Sequence, residues 1–195
     1  MNMNLLMLGL LELIVFSLTF NQGFWTCALM MFNITFAGVM AFNYAAPLAN
    51  LLIGMYEPLY YMAEFMSLWV LFLIFFAISR AVTDKLSPVP VRVGGETGET
   101  ILNYAFSVWV SCMFTIWVCF TLVVAPIAAD GFQSMMSPGA VAHTAAFRFG
   151  GWYVAAPGKL GMGLLGRPIS MTDYMNSRLD RSNELKTKKG VMDVP

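Results

Sequence analysis

Residues 101–128 carry no charged side chain. An uncharged, mostly apolar run of more than about 18 residues is long enough to cross the hydrocarbon core of a bilayer. Inside lipid a backbone bonds itself only as a helix or in a closed barrel, and this run lacks the alternation of a barrel strand. It therefore reads as a membrane helix, and it has an inner order. Ser107, Ser111, Thr115 and Cys119 recur at every fourth position, which at about 100° per residue makes one slowly drifting ridge. Phe106, Trp109, Val110, Met113, Ile116, Trp117 and Phe120 cover the opposite side. The small ridge is expected to pack on neighbouring helices, and the bulky side to meet lipid.

Composition agrees. The chain is 58% hydrophobic and 11% charged, too little charge for the surface of an ordinary soluble domain. Its formal net charge is zero, so nothing in the overall charge points to nucleic acid as a partner. Cys27, Cys112 and Cys119 show neither zinc-site nor dithiol spacing and read as small buried residues. His143 is the one histidine, with no ligand cluster beside it, so no metal or other cofactor is expected. No nucleophile–base pair is recognisable, so the chain is not expected to be an enzyme.

The fold class that follows is all-α. An integral membrane bundle of four transmembrane helices is expected over residues 1–128, with spans at about 3–20, 24–46, 59–79 and 101–127. No Lys or Arg precedes the first run, unlike a signal peptide, so it reads as a retained helix. Glu12 lies near its middle. An ionisable group at that depth costs roughly 2.5 kcal/mol or more and calls for a functional hypothesis. Desolvation favours the neutral form of such a carboxyl, which could then bond to Asn33, Asn43 or a ridge hydroxyl. On that structural reading Glu12→Gln is tolerated, whereas Glu12→Leu loses protein from the membrane. On a proton-path reading Glu12→Gln folds but is inactive. If Glu12→Leu is harmless to both protein level and phenotype, Glu12 merely reaches water at an interface.

The second span has Ala37, Ala41 and Ala45 at four-residue steps with Gly38 beside them, a pattern that lets helix backbones approach closely. This row is expected to face the Ser107–Ser111–Thr115 ridge, with Asn33 and Asn43 toward the bundle. The connection to the first span is short, so the two should form an antiparallel hairpin. Pro47 is expected to end the second span. Tyr56, Tyr60 and Tyr61 mark the lipid–water interface before the third span. Glu64 and Arg80, near the two ends of that span, are expected at the interface.

Residues 81–100 form the most polar connection. Asp84 pairs with Arg80 at i,i+4 if the helix continues that far, Ser87-Pro88-Val89-Pro90 breaks it, and Gly94, Gly95 and Gly98 suggest a flexible piece. Arg80, Lys85 and Arg92 are the only basic residues before the tail, which places this loop on the cytoplasmic side and both termini outside. The tail, 129–195, begins with a broken apolar segment, 140–156, too interrupted to span and expected at the interface. Gly161-Met162-Gly163-Leu164-Leu165-Gly166 matches G-x-G-x-x-G in letters, but no strand precedes it and Pro168 follows it, so no nucleotide site is inferred. Beyond about residue 170 the tail is polar and expected to be loosely held.

The layout resembles the colicin V production protein (CvpA-like) family of small bacterial inner-membrane proteins. Gly23-Phe24 falls where that family has Gly-Phe after its first helix. Asn103, followed at four-residue steps by Ser107, Ser111 and Thr115, falls where the family has Asn or Asp followed by glycines. Phe42-Asn43-Tyr44 with Pro47-Leu48-Ala49 looks like the end of its second span. The chain departs from the family in having Asn21-Gln22 where Arg is usual, and Ser and Thr in place of glycine. The resemblance covers about residues 1–128. It implies a non-enzymatic protein of the inner membrane with a role in colicin V production or export, a form of toxin biosynthesis, or in envelope homeostasis. Such a protein would act through helix packing, as a homo-oligomer or with a membrane protein partner.

The residues by themselves leave a second function open, a transporter or channel subunit that uses intramembrane Glu12 and the Ser/Thr-lined face of the last helix. Water along that face would favour transport; a dry, close-packed ridge would favour the packing role.

Overall fold

The structure, a computed structural model, describes residues 3–56, 60, 62–91, 93 and 95–124. Four helices follow one another: α1 (Met3–Phe20), α2 (Phe24–Met55), α3 (Ala63–Leu86) and α4 (Gly95–Val124). The last three are long and apolar enough to cross a membrane, and the apolar part of α1, Leu8–Phe20, is shorter. The result is an all-α bundle of three membrane-length helices and one short companion. The expectations for the tail 129–195 and for Tyr61 lie outside the described residues.

Pro47 does not end α2, which continues to Met55. Proline removes one backbone donor, but breaking the helix here would expose many more backbone groups to an apolar medium, so continuation is the cheaper outcome. Its ring is on the exposed side of α2. With 32 residues, α2 is about 48 Å long and exceeds a hydrocarbon core of about 30 Å.

The polar connection is also shorter than expected. Helix α3 runs to Leu86, with the Arg80 guanidinium 3.0 Å from the Asp84 carboxylate. It stops just before Pro88, which disfavours helix in the residue it follows. Of the glycines expected to be flexible, Gly95 and Gly98 instead start α4. Gly95 enters at φ +71°, and a Cβ on Gly98 would lie 3.3 Å from the Val93 carbonyl oxygen. In the neighbouring turn between α1 and α2, Gly23 adopts φ 82°, ψ 154°, a conformation open essentially to glycine alone.

Helix α2 packs on α3 and α4, whereas α1 packs on α4. The short turn therefore joins α1 and α2 without laying them along each other as the expected hairpin would. The core lies among α2, α3 and α4. Phe72 and Trp117 stack with centroids 4.4 Å apart, and Phe42 meets Phe120 edge-on at 4.2 Å. This corrects the expectation for α4: Val110, Met113, Trp117 and Phe120 are buried, while Trp109 is exposed. With α1 on one flank and α2 and α3 on the other, α4 has protein on both its small and its bulky side. The surface that faces outward includes Leu10, Leu13 and Leu18 of α1 and Leu73 and Ile78 of α3.

Candidate functional site at the seam of α1 and α4

The C-terminal end of α1 is held by α4 and by the first turn of α2. The last carbonyls of a helix have no partner within it. Here Asn103 Nδ2 donates to the Phe20 carbonyl at 2.9 Å, and the Cys27 thiol donates to the Thr19 carbonyl at 3.3 Å. The Phe20 ring lies against Tyr104, centroids 4.6 Å apart. These contacts fix the height of α1 against α4.

Eight positions back from Phe20, or about 12 Å along the helix, Glu12 projects onto α4. Ser111 Oγ lies 2.6 Å from Glu12 Oε1, and Thr115 Oγ1 donates to Oε2 at 2.7 Å. The Cys112 thiol donates to Oε1 at 3.2 Å. Residues four apart on α4 thus hold one carboxylate oxygen each, because i and i+4 stand one above the other on a helix. Ser111 is fully buried, Glu12 is half-buried and Cys112 is exposed. The donors on Glu12 among the described residues are two hydroxyls and a thiol; no cation is among them.

The same face of α4 continues toward the loops. Ser107 is fully buried and sits 3.4 Å from the Cys27 thiol. Asn103 then lines an open cleft of about 490 Å³ between the 21–23 turn and the loop before α4. Gln22, Trp25, Glu96, Glu99 and Thr100 are also in its wall. Among the described residues Asn103 Oδ1 has no hydrogen-bond partner. From Asn103 to Thr115 the ridge covers roughly 18 Å of helix, with a polar cleft at one end and a carboxyl at the other.

The other expected positions go elsewhere. Ala37, Ala41 and Ala45 are buried in one cluster with Leu68, Phe72, Trp117 and Phe120. The ridge makes its hydrogen bonds away from this row: Ser111 and Thr115 bond to Glu12 of α1, and Ser107 meets Cys27 near the start of α2. Small side chains on α2 share their core with the large rings of α4, which fills the space that two small rows would have left empty. Asn33 is fully buried between α2 and α3, where it accepts from Ser79 and donates to Thr83 Oγ1 at 3.1 Å. Asn43 donates to the Val39 carbonyl of its own helix at 2.7 Å. Glu12 therefore bonds to ridge side chains and to neither asparagine.

Sequence reasoning missed Cys112 as a partner of Glu12, and it missed the cleft. The adjacency of Cys112 to Ser111 was a usable signal. The cleft had none, because it is formed by two connections distant in sequence. Glu64, expected at an interface, is 4% exposed in the first turn of α3, where the helix dipole favours a carboxylate.

Comparison with models of known protein families, with curated proteins and with solved structures found no match.

Proposed function

We propose that this chain is a transport protein or channel subunit of a membrane, with the α1–α4 seam as its polar path and Glu12 as the residue that meets the transported species. The observation that carries this reading is the grip of Ser111, Cys112 and Thr115 on Glu12. A carboxyl at membrane depth is expensive. If its role were only to pin α1 to α4, an apolar contact would serve without that cost. The cleft at Asn103 supports the reading, since it is open and places two further carboxyl groups at one end of the ridge; beyond it Ser107 and Ser111 are fully buried, so the wetness of the ridge is what cysteine labelling decides. The implied location is a bacterial inner membrane, with the 87–94 loop on the cytoplasmic side.

The packing role implied by the CvpA-like resemblance makes the opposite prediction about water. In a background lacking the native cysteines, single cysteines at 103, 107, 111 and 115 would be treated with a small, membrane-impermeant thiol reagent. The transport reading expects labelling to extend from 103 inward along the ridge. Labelling confined to 103 would mean a dry seam and would favour packing.

A further inference from the structure

We infer that the species bound at Glu12 is a proton rather than a metal cation, and that the Ser111 hydroxyl is the switch that lets the site hold it or release it without rearranging. This deepens the transport reading and rests on it for its biological meaning, but the geometry behind it is separate.

The argument begins with Ser111. Its hydroxyl has one hydrogen, yet two acceptors lie within reach: Glu12 Oε1 at 2.6 Å and the Val108 carbonyl at 3.0 Å. One hydrogen cannot serve both. With Glu12 ionised, Ser111 donates to Oε1, Cys112 adds a second bond to the same oxygen, and Thr115 donates to Oε2. With Glu12 protonated on Oε1, the acid donates to Ser111 Oγ, and the serine hydrogen turns to the Val108 carbonyl. Cys112 and Thr115 keep their bonds. Each state leaves every group in the cluster with a partner. The two differ by one proton and one hydroxyl rotation, and no heavy atom has to move.

The balance is simple. The ionised carboxylate gains a proton from water to give the acid, and returns it in the reverse step. No redox partner or leaving group is involved.

A metal cation fits the same atoms poorly. Hard cations need several oxygen lone pairs aimed at one point. Here both carboxylate oxygens already lie within hydrogen-bond distance of protein hydroxyl or thiol donors, and a cation would have to displace those bonds. No group of three or more His, Cys, Asp and Glu side chains suited to a metal is found among the described residues. The titratable partner that faces Glu12 from α4, the helix α1 packs on, is Cys112. Glu96 and Glu99 stand in the cleft, and Glu99 is roughly 18 Å along α4 from Ser111.

The test is infrared difference spectroscopy on the full chain reconstituted in lipid, scanned from mildly acidic to alkaline pH with and without sodium at constant ionic strength. The expected result is a carboxyl C=O band that appears on acidification, is lost in Glu12→Gln and is indifferent to sodium. In Ser111→Ala the band should move to higher frequency, because the acid has lost its acceptor. If Glu12→Gln does not accumulate, Glu12→Asp identifies the band by displacing it. A band abolished by sodium at fixed pH would overturn the inference in favour of a cation site. No band from Glu12 at any pH, or one that Ser111→Ala leaves in place, would overturn the switch. A dry seam in the labelling experiment would instead defeat the transport reading while the titration persisted, so the two failures are distinguishable.

Discussion

The indole of Trp117 lies flat against the ring of Phe72, with an interplanar angle of 19°, and is fully buried. On the same helix Trp109 is 61% exposed. Truncation at these two sites should therefore behave very differently. Trp117→Ala removes a ring packed between α2, α3 and α4, and is expected to cost about 3 kcal/mol, at the low end for a buried Trp or Phe. Trp109→Ala should be close to neutral. Thermal unfolding in detergent checks this, and equal losses from the two variants would refute the assignment of the bulky side of α4 to the core.

The bond between Asn33 and Ser79 joins α2 to α3, and Thr83 extends it. Hydrogen bonds between membrane helices contribute about 0.6 kcal/mol on average and up to about 1.7. A double-mutant cycle of Asn33→Ala with Ser79→Ala should give a coupling energy near the upper figure, because Asn33 is fully buried and bonded through both ends of its amide. A coupling energy of zero would mean the two side chains do not meet in the membrane.

Gly23 and Gly54 offer a paired test of backbone against space. A Cβ would meet nothing within 4 Å at either site, but only Gly23 has positive φ. Gly23→Ala should cost about 1–3 kcal/mol from backbone strain alone. Gly54→Ala, inside a helix, should be neutral or stabilise by about 0.5–1 kcal/mol. A Gly23→Ala protein that melts with the wild type would show that the turn is not held in this conformation.

How much of this was legible in the sequence depends on which forces set each feature. The uncharged run in α4 announced a membrane helix because lipid leaves a backbone so few options. Glu12 stood out for the same reason. The i,i+4 pair of Arg80 and Asp84 was readable because both partners are on one helix. The neighbours of each face were not readable. Ridge spacing says that Ser107, Ser111 and Thr115 lie together, but small side chains pack acceptably against another small row or against a carboxyl-bearing helix. Only the assembled fold gives Ser111 and Thr115 to Glu12 of α1 and Ser107 to Cys27 of α2. Pro47 was misread because its rule comes from water, where a broken helix can bond to solvent.

The 21–23 turn and the 87–94 loop share one end of the bundle, tied there by Trp25 Nε1 donating to Ser87 Oγ at 2.7 Å. Cysteines placed at Gln22 and Val89 should react from the same side of the membrane, and one at Tyr56 from the other. The basic residues Arg80, Lys85 and Arg92 predict that the shared side is cytoplasmic. Labelling of Gln22 and Val89 from opposite sides would contradict the arrangement itself, whatever the orientation.

Glu12 at the α1–α4 seam is the centre of the functional account, and ion flux through reconstituted protein tests it most directly. Wild type and Glu12→Gln would be placed in liposomes at equal, verified amounts, and proton movement followed with a pH-sensitive dye under an imposed potential. An amide keeps hydrogen-bonding capacity toward Ser111 and Thr115 but cannot titrate. The account predicts that Glu12→Gln inserts and melts nearly as the wild type does, while its proton flux falls to that of empty liposomes. Equal flux from the two proteins, or none from either, would contradict it.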